Sequence, residues 1–137
     1  MKLDTNTLRA LDHVGDEFMA VTLRRETDLR DNLAALFELG AVLTRLRRFE
    51  EGLEIDRRLV MLEPLEPILR YNLACSLALL AKNDEALDEL ERAVELGYND
   101  ADHMVRDRDL RSVRTHTRFE KLVQRVRELQ NGSSATA

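Results

Sequence analysis

The feature that most limits what this chain can become is a self-match at a spacing of 34 residues, between Leu39 and Leu73, Leu43 and Leu77, and Leu46 and Leu80. Further along, Leu53 returns as Leu87, Leu62 as Leu96 and Leu59 as Ala93. Small residues return as small ones, Gly40 as Ala74 and Gly52 as Ala86. The leucines recur at threes and fours, which places them on one stripe of a helix. The small pairs have a separate meaning. Where two helices of a hairpin cross closely, a larger side chain would hold the backbones apart.

The punctuation divides each unit into two helices. Arg47-Arg48 breaks a stretch running from about Leu29 to Leu46 from one running from Phe49 to Leu62, and Glu63-Pro64 closes the second. Pro67 suits the first turn of the next helix, which reaches about Ala81. Lys82-Asn83 makes the turn into Asp84 to Leu96, and Gly97 is its C-cap. With 5 Gly, 2 Pro and no alternating β-branched run, the chain reads as all-α.

These two units resemble tetratricopeptide repeats, whose pattern is W-x2-L-G-x2-Y, later A-x3-F, then P. The first unit supplies Leu36, Leu39-Gly40, Leu43, Gly52, Asp56 and Pro64. The second supplies Arg70, Leu73-Ala74, Leu77, Ala86 and Leu90. Leu36 and Arg70 stand where Trp is favoured, Asp56 stands at an aromatic position, and Tyr98 replaces the closing Pro. The resemblance implies an α-α superhelix with two hairpin repeats and helical caps.

The expected organisation is one helical repeat domain over 1–130, with repeats at about 31–64 and 65–98 and caps at 5–28 and 99–130. Residues 131–137 hold nothing bulky and are expected to be a disordered tail. Two repeats leave apolar ends, so the flanks are expected to cover them. The opening helix carries Leu8, Leu11, Val14 or Gly15, and Phe18 on one side. Arg118-Phe119-Glu120-Lys121-Leu122 resembles the closing helix of many bacterial proteins of this family, so Phe119, Leu122 and Val126 should cover Leu87, Leu90 and Val94.

By the same resemblance, the first helix of each hairpin lines a concave face. The partner-binding candidates are Phe37, Ala41, Thr44 and Arg45 in one unit, with Ile68, Tyr71, Asn72 and Cys75 in the other. Phe37 and Tyr71 are related by the repeat and fall off the leucine stripe, so exposed aromatics beside Arg45 are one reading. Packing is the other, with Phe37 against Leu11 or Phe18. Asn72 matches a family Asn that binds peptide backbone, but Glu38 and Ala41 replace the rest of the terminal-carboxylate clamp, which disfavours a chaperone-tail receptor. The lone Cys75 sits in an apolar run and reads as a small packed thiol.

The net charge of −5 argues against a general nucleic-acid binder. No apolar run approaches a membrane span and no leader opens the chain, so a cytoplasmic location is expected. His13, His103 and His116 lie in separate segments, and no zinc, EF-hand, phosphate-loop or hydrolase motif is present. Asp100, Asp102, Asp107 and Asp109 read as caps and ion-pair partners. The expected function is therefore a non-enzymatic adaptor, without cofactor or metal, that binds a protein or peptide. The alternative is a self-associating element of a larger assembly.

Overall fold

A computed structural model describes residues 4–30 and 32–135, with side chains described over 4–25 and 32–132. Among the described residues seven α-helices follow in order: α1 Thr5–Arg30, α2 Leu33–Arg45, α3 Phe49–Leu62, α4 Pro67–Leu79, α5 Asn83–Glu95, α6 Ala101–Arg106 and α7 Thr117–Ala135. A 3-10 turn, Arg108–Leu110, stands between α6 and α7, and no strand occurs among the described residues. The chain divides into two compact units, Met1–Leu59 and Val60–Ala137.

The 34-residue period is written into the backbone as well as the side chains. The starts of α2 and α3, Leu33 and Phe49, return as Pro67 and Asn83. The turns return too. Arg47 (φ 60°) and Ala81 (φ 56°) both take the left-handed conformation after a helix. After α2, Arg47 N–H donates to Thr44 and Arg48 N–H to Leu43; after α4, Ala81 N–H donates to Ala78 and Lys82 N–H to Leu77. Gly97 (φ 111°) closes α5 with the same pair of bonds. Each is the two-bond helix stop that satisfies otherwise orphaned carbonyls. This is a tetratricopeptide-like, all-α repeat architecture.

In the first unit, α2 buries Leu36, Leu39, Val42 and Leu43, and α3 buries Leu53, Ile55 and Leu59. The two helix glycines differ in what a methyl group would meet. At Gly52 it would lie 3.9 Å from Leu43 Cβ and Thr44 Oγ1, an ordinary contact. At Gly40 it would lie 3.2 Å from Oδ1 of the buried Asp56. Gly52→Ala is therefore expected to raise stability by about 0.5–1 kcal/mol, the helix-interior difference between these residues. Gly40→Ala should lose that gain to crowding. Urea midpoints check both, and a lower midpoint for Gly52→Ala refutes the argument.

The opening helix differs from expectation. It continues to Arg30, so Leu29 belongs to α1 and not to the second helix. The Asn32 side chain accepts from Ala35 N–H at 3.2 Å and starts α2 at Leu33. The side of α1 that meets the hairpin is small and charged: Ala20 is buried, Asp16 pairs with Arg45 at 3.1 Å, Glu17 with Arg48 at 3.2 Å and Arg24 with Glu51 at 2.9 Å. The stripe expected to cover an apolar end faces outward, with Leu8, Leu11, Val14 and Phe18 all exposed.

In the second unit, α4 and α5 form the hairpin and α7 packs on α5 and α6. Leu87, Leu90 and Val94 of α5 are buried, as are Phe119, Leu122 and Val126 of α7. α7 stays helical through Ala135, beyond the expected break at Asn131; residues 136–137 lie outside the described residues.

Candidate functional site

The predicted partner-binding residues fall four in each unit, and the two sets have different surroundings. On α2, Phe37, Ala41, Thr44 and Arg45 lie on one face because their spacings are three and four. Phe37 is 46% exposed, and Ala41 is exposed as well. Leu33, at 38% exposure, and Ala34 extend the row toward the start of the helix. Thr44 is half-buried and its hydroxyl donates to the Gly40 carbonyl at 3.0 Å, which turns its polar atom inward. Arg45 donates twice to Asp16, at 3.3 and 3.1 Å, and this hydrogen bonding raises its pKa further. The row is thus apolar at Leu33 and Phe37, small at Ala34 and Ala41, and ends in an ion pair.

On α4 the reading of Tyr71 as an exposed aromatic is corrected. Tyr71 is only 4% exposed, and Cys75 is buried beside it. The Tyr71 ring stacks on Tyr98 at 4.4 Å with an interplanar angle of 6°, and His103 tilts against it at 5.5 Å. Its hydroxyl donates to Asp107 Oδ2 at 2.8 Å, and Cys75 Sγ lies 3.6 Å from the same oxygen. The chain's own segment after Gly97 occupies this face of α4. Ile68 remains 46% exposed and Asn72 is half-buried.

Asp107 organises that segment. Its Oδ1 accepts from Asp109 N–H at 3.0 Å, which caps the 3-10 turn. Its carbonyl accepts from the Arg114 guanidinium at 2.7 Å, and His103 Nε2 approaches Oδ2 at 3.4 Å. Asp100 caps α6 through His103 N–H at 2.9 Å. The capping role expected of the aspartates holds at both positions. The second role of Asp107, as acceptor for Tyr71 and Cys75, has no local sequence signal, because its partners are more than 30 residues away. Tyr98 offered a weak signal: it is a large aromatic where the family pattern has Pro.

Burial pushes the Tyr71 phenol well up from its ordinary value, with Cys75 and Asp107 adding to the effect. Burial also raises Tyr98, to about 12. Phenols held above their unfolded value of about 10 contribute stability that is fully present below pH ~10 and lost as pH rises through the folded values. At about pH 11 the folded protein should therefore show little of the tyrosinate absorbance that a free phenol gives. That absorbance should appear together with loss of helical circular dichroism. Ionisation of both tyrosines near pH 10 in a fully helical protein contradicts the buried stack.

Among the described residues, Cys75, Asp107 and Asp109 form a group whose donor atoms lie within 4.8 Å of one another. A thiolate and two carboxylates at that separation are able to hold a divalent ion. Here, however, hydrogen bonds and the cap account for Asp107. Burial, followed by the Asp107 charge, raises the Asp109 carboxyl. A cleft of about 320 Å³ lined by Val94, Gly97, Tyr98, Asn99, Leu129 and Gln130 contains no histidine or carboxylate. His13 pairs with Glu17 at 3.8 Å, remote in sequence from His103. Cys75 Sγ and His103 Nε2 both approach the same Asp107 oxygen, whereas acyl-transfer chemistry needs the imidazole on the thiol and the carboxylate behind the imidazole.

No family model matches the chain, and no curated protein matches it in sequence. Solved structures do. MamA MSR-1 matches with a TM-score of 0.65 at 20% identity, over 87% of this chain and 70% of that one. MamA AMB-1 matches with a TM-score of 0.62 at 22% identity, over 82% of this chain and 63% of that one. The MamA RS-1 ArsTM double mutant matches with a TM-score of 0.63 at 15% identity, over 86% of this chain and 69% of that one. At these identities the likeness is one of fold. No helix among the described residues is long and apolar enough to cross a membrane.

Proposed function

We propose that this protein is a non-enzymatic adaptor that binds another protein through the outward row of α2. The observation that carries the reading is the exposure of Phe37, at 46%, beside exposed Leu33, Ala34 and Ala41 on a helix whose opposite face is fully packed. An aromatic on a rigid, small-residue surface is the kind of anchor around which helical and peptide partners dock. On α4 the equivalent aromatic is taken up internally, so the proposed role there narrows to Ile68 and Asn72. The likeness to MamA structures supports a repeat fold suited to such contacts.

The test is affinity capture from the native host with the intact protein, Phe37→Asp and Ile68→Asp. Phe37→Asp should lose the captured protein while far-ultraviolet circular dichroism stays unchanged, because the side chain is half in water. Capture unchanged by Phe37→Asp ends the proposal for this surface.

A further inference from the structure

We infer that the segment between α6 and α7 presents a row of arginines that docks an acidic, carboxylate-bearing segment of another protein. The row lies in the second unit, apart from the proposed adaptor surface on α2, and neither reading depends on the other.

Local geometry makes the row. From Asp107 to His116 the backbone turns on bonds three residues apart. Leu110 N–H donates to Asp107, Arg111 to Arg108, Val113 to Leu110, Arg114 to Arg111 and His116 to Val113. Bonds of this kind bring residues three apart onto one side of the chain. One side carries Leu110 and Val113, both fully buried. Another carries Arg108, Arg111 and Arg114, and the first two are exposed. Exposed Arg106 joins them. Asp107 is extended and turns its carboxylate inward to Tyr71, so its two neighbours project the other way. The segment is held firmly from beneath: Ser112 Oγ lies 2.9 Å from the Ala78 carbonyl, and the Arg114 guanidinium donates to the Asp107 carbonyl at 2.7 Å.

The charges of this row are not used inside the unit. Arg70 is taken by Glu89, Arg92 by Glu95, and Arg118 by Asp88 and Glu91. Among the described residues no carboxylate pairs with Arg106, Arg108 or Arg111. The two acids interleaved with them face inward, where their oxygens gather with Cys75 Sγ within 4.8 Å. The buried Nε of Arg114 also has no hydrogen-bond partner. The result is an uncompensated positive edge on a chain whose net charge is −5.

Its chemistry identifies the occupant. A guanidinium is a planar fork that matches a carboxylate with two parallel hydrogen bonds. Three residues of this geometry rise ~6 Å, close to the ~6.6 Å between alternate side chains of an extended chain. An extended segment with Asp or Glu at every second residue therefore meets successive arginines. The edge is also short, with exposed Asp100 and Asp102 before it and exposed Glu120 after it. A long polyanion such as nucleic acid would meet those charges. It would also find no stacking platform, because Tyr71, Tyr98 and Phe119, the aromatics of this unit, are all buried.

The probe is a fluorescein-labelled peptide of alternating serine and glutamate, titrated with the full chain and read by fluorescence anisotropy. It should bind with a dissociation constant below ~0.1 mM at low salt and lose at least ~10-fold in ~0.5 M salt. The serine–glutamine analogue should not bind. Arg108→Gln combined with Arg111→Gln should weaken binding at least ~10-fold, and helical circular dichroism should be unchanged because both side chains lie in water. Arg108→Lys with Arg111→Lys keeps the charge without the fork and should fall between. The same charge change on α1, Arg9→Gln with Arg25→Gln, should alter binding less than ~2-fold. An equal loss from the α1 pair overturns the inference, because net charge alone would then attract the peptide. Absence of binding at ~1 mM overturns it too, as does tighter binding of an oligothymidylate of the same charge, which would give the edge to nucleic acid.

Discussion

Tyr71→Ala is expected to cost about 3–5 kcal/mol, the range for emptying a buried aromatic site. For a small domain holding only about 5–15 kcal/mol in total, that is a large share. Three losses coincide: the ring's own burial, the stack on Tyr98 at 4.4 Å, and the 2.8 Å hydrogen bond to Asp107. The conservative variant separates them. Tyr71→Phe keeps ring and stack and removes only the hydroxyl, so it should cost about 1 kcal/mol, the net worth of one hydrogen bond. The protein also provides its own probe. Tyr71 and Tyr98 are its two tyrosines and it has no tryptophan, so near-ultraviolet circular dichroism around the tyrosine band reports this stack. Tyr71→Phe should reduce that signal while the far-ultraviolet spectrum and most of the urea midpoint persist. Equal destabilisation by both substitutions would mean that the hydroxyl, and not the ring, holds the segment after Gly97 in place.

The contrast between Phe37 and Tyr71 shows where sequence reasoning stops. The two are equivalent by the repeat, yet one is 46% exposed and the other 4%. Periodicity identifies the face a side chain occupies; it does not say which non-repeating segment comes back to cover that face. The helix start at Pro67 and the turns at Arg47 and Ala81 were legible to within a residue or two because local chemistry sets them. The boundary near Leu29 was not. Leucine spacing runs on through Leu29 and Leu33, so only the Asn32 cap distinguishes one helix from two. For α1 the apolar stripe was legible and its direction was not. A helix is expected to bury its oily side, but here the anchoring side relies on Ala20 and three cross-helix ion pairs. Their partners stand 27, 29 and 31 residues apart, so no local pattern marks them.

Phe119→Ala decides whether the closing helix is held by burial or by charge. Phe119 is 2% exposed at the start of α7, which packs on α5 and α6. Its neighbour Arg118 donates to Glu91 at 3.1 Å and to Asp88 at 2.6 Å, and these contacts raise its pKa. By geometry alone the two residues look like equal clamps. Their energies are not equal. The ion pairs lie at the surface, where entropy and screening leave about 0–1 kcal/mol. Removing a buried phenylalanine costs about 3–5 kcal/mol, because the apolar burial is lost and a cavity remains. Arg118→Ala should therefore shift the urea midpoint slightly, and raising the salt concentration should erase the difference from wild type. Phe119→Ala should shift it severely at any salt concentration. It should also let a hydrophobic dye bind, since a repeat whose outer helix loses its cap exposes the side that carries Leu87, Leu90 and Val94. Comparable losses from both variants, fading together with salt, would put the closing helix under electrostatic control and overturn the burial argument.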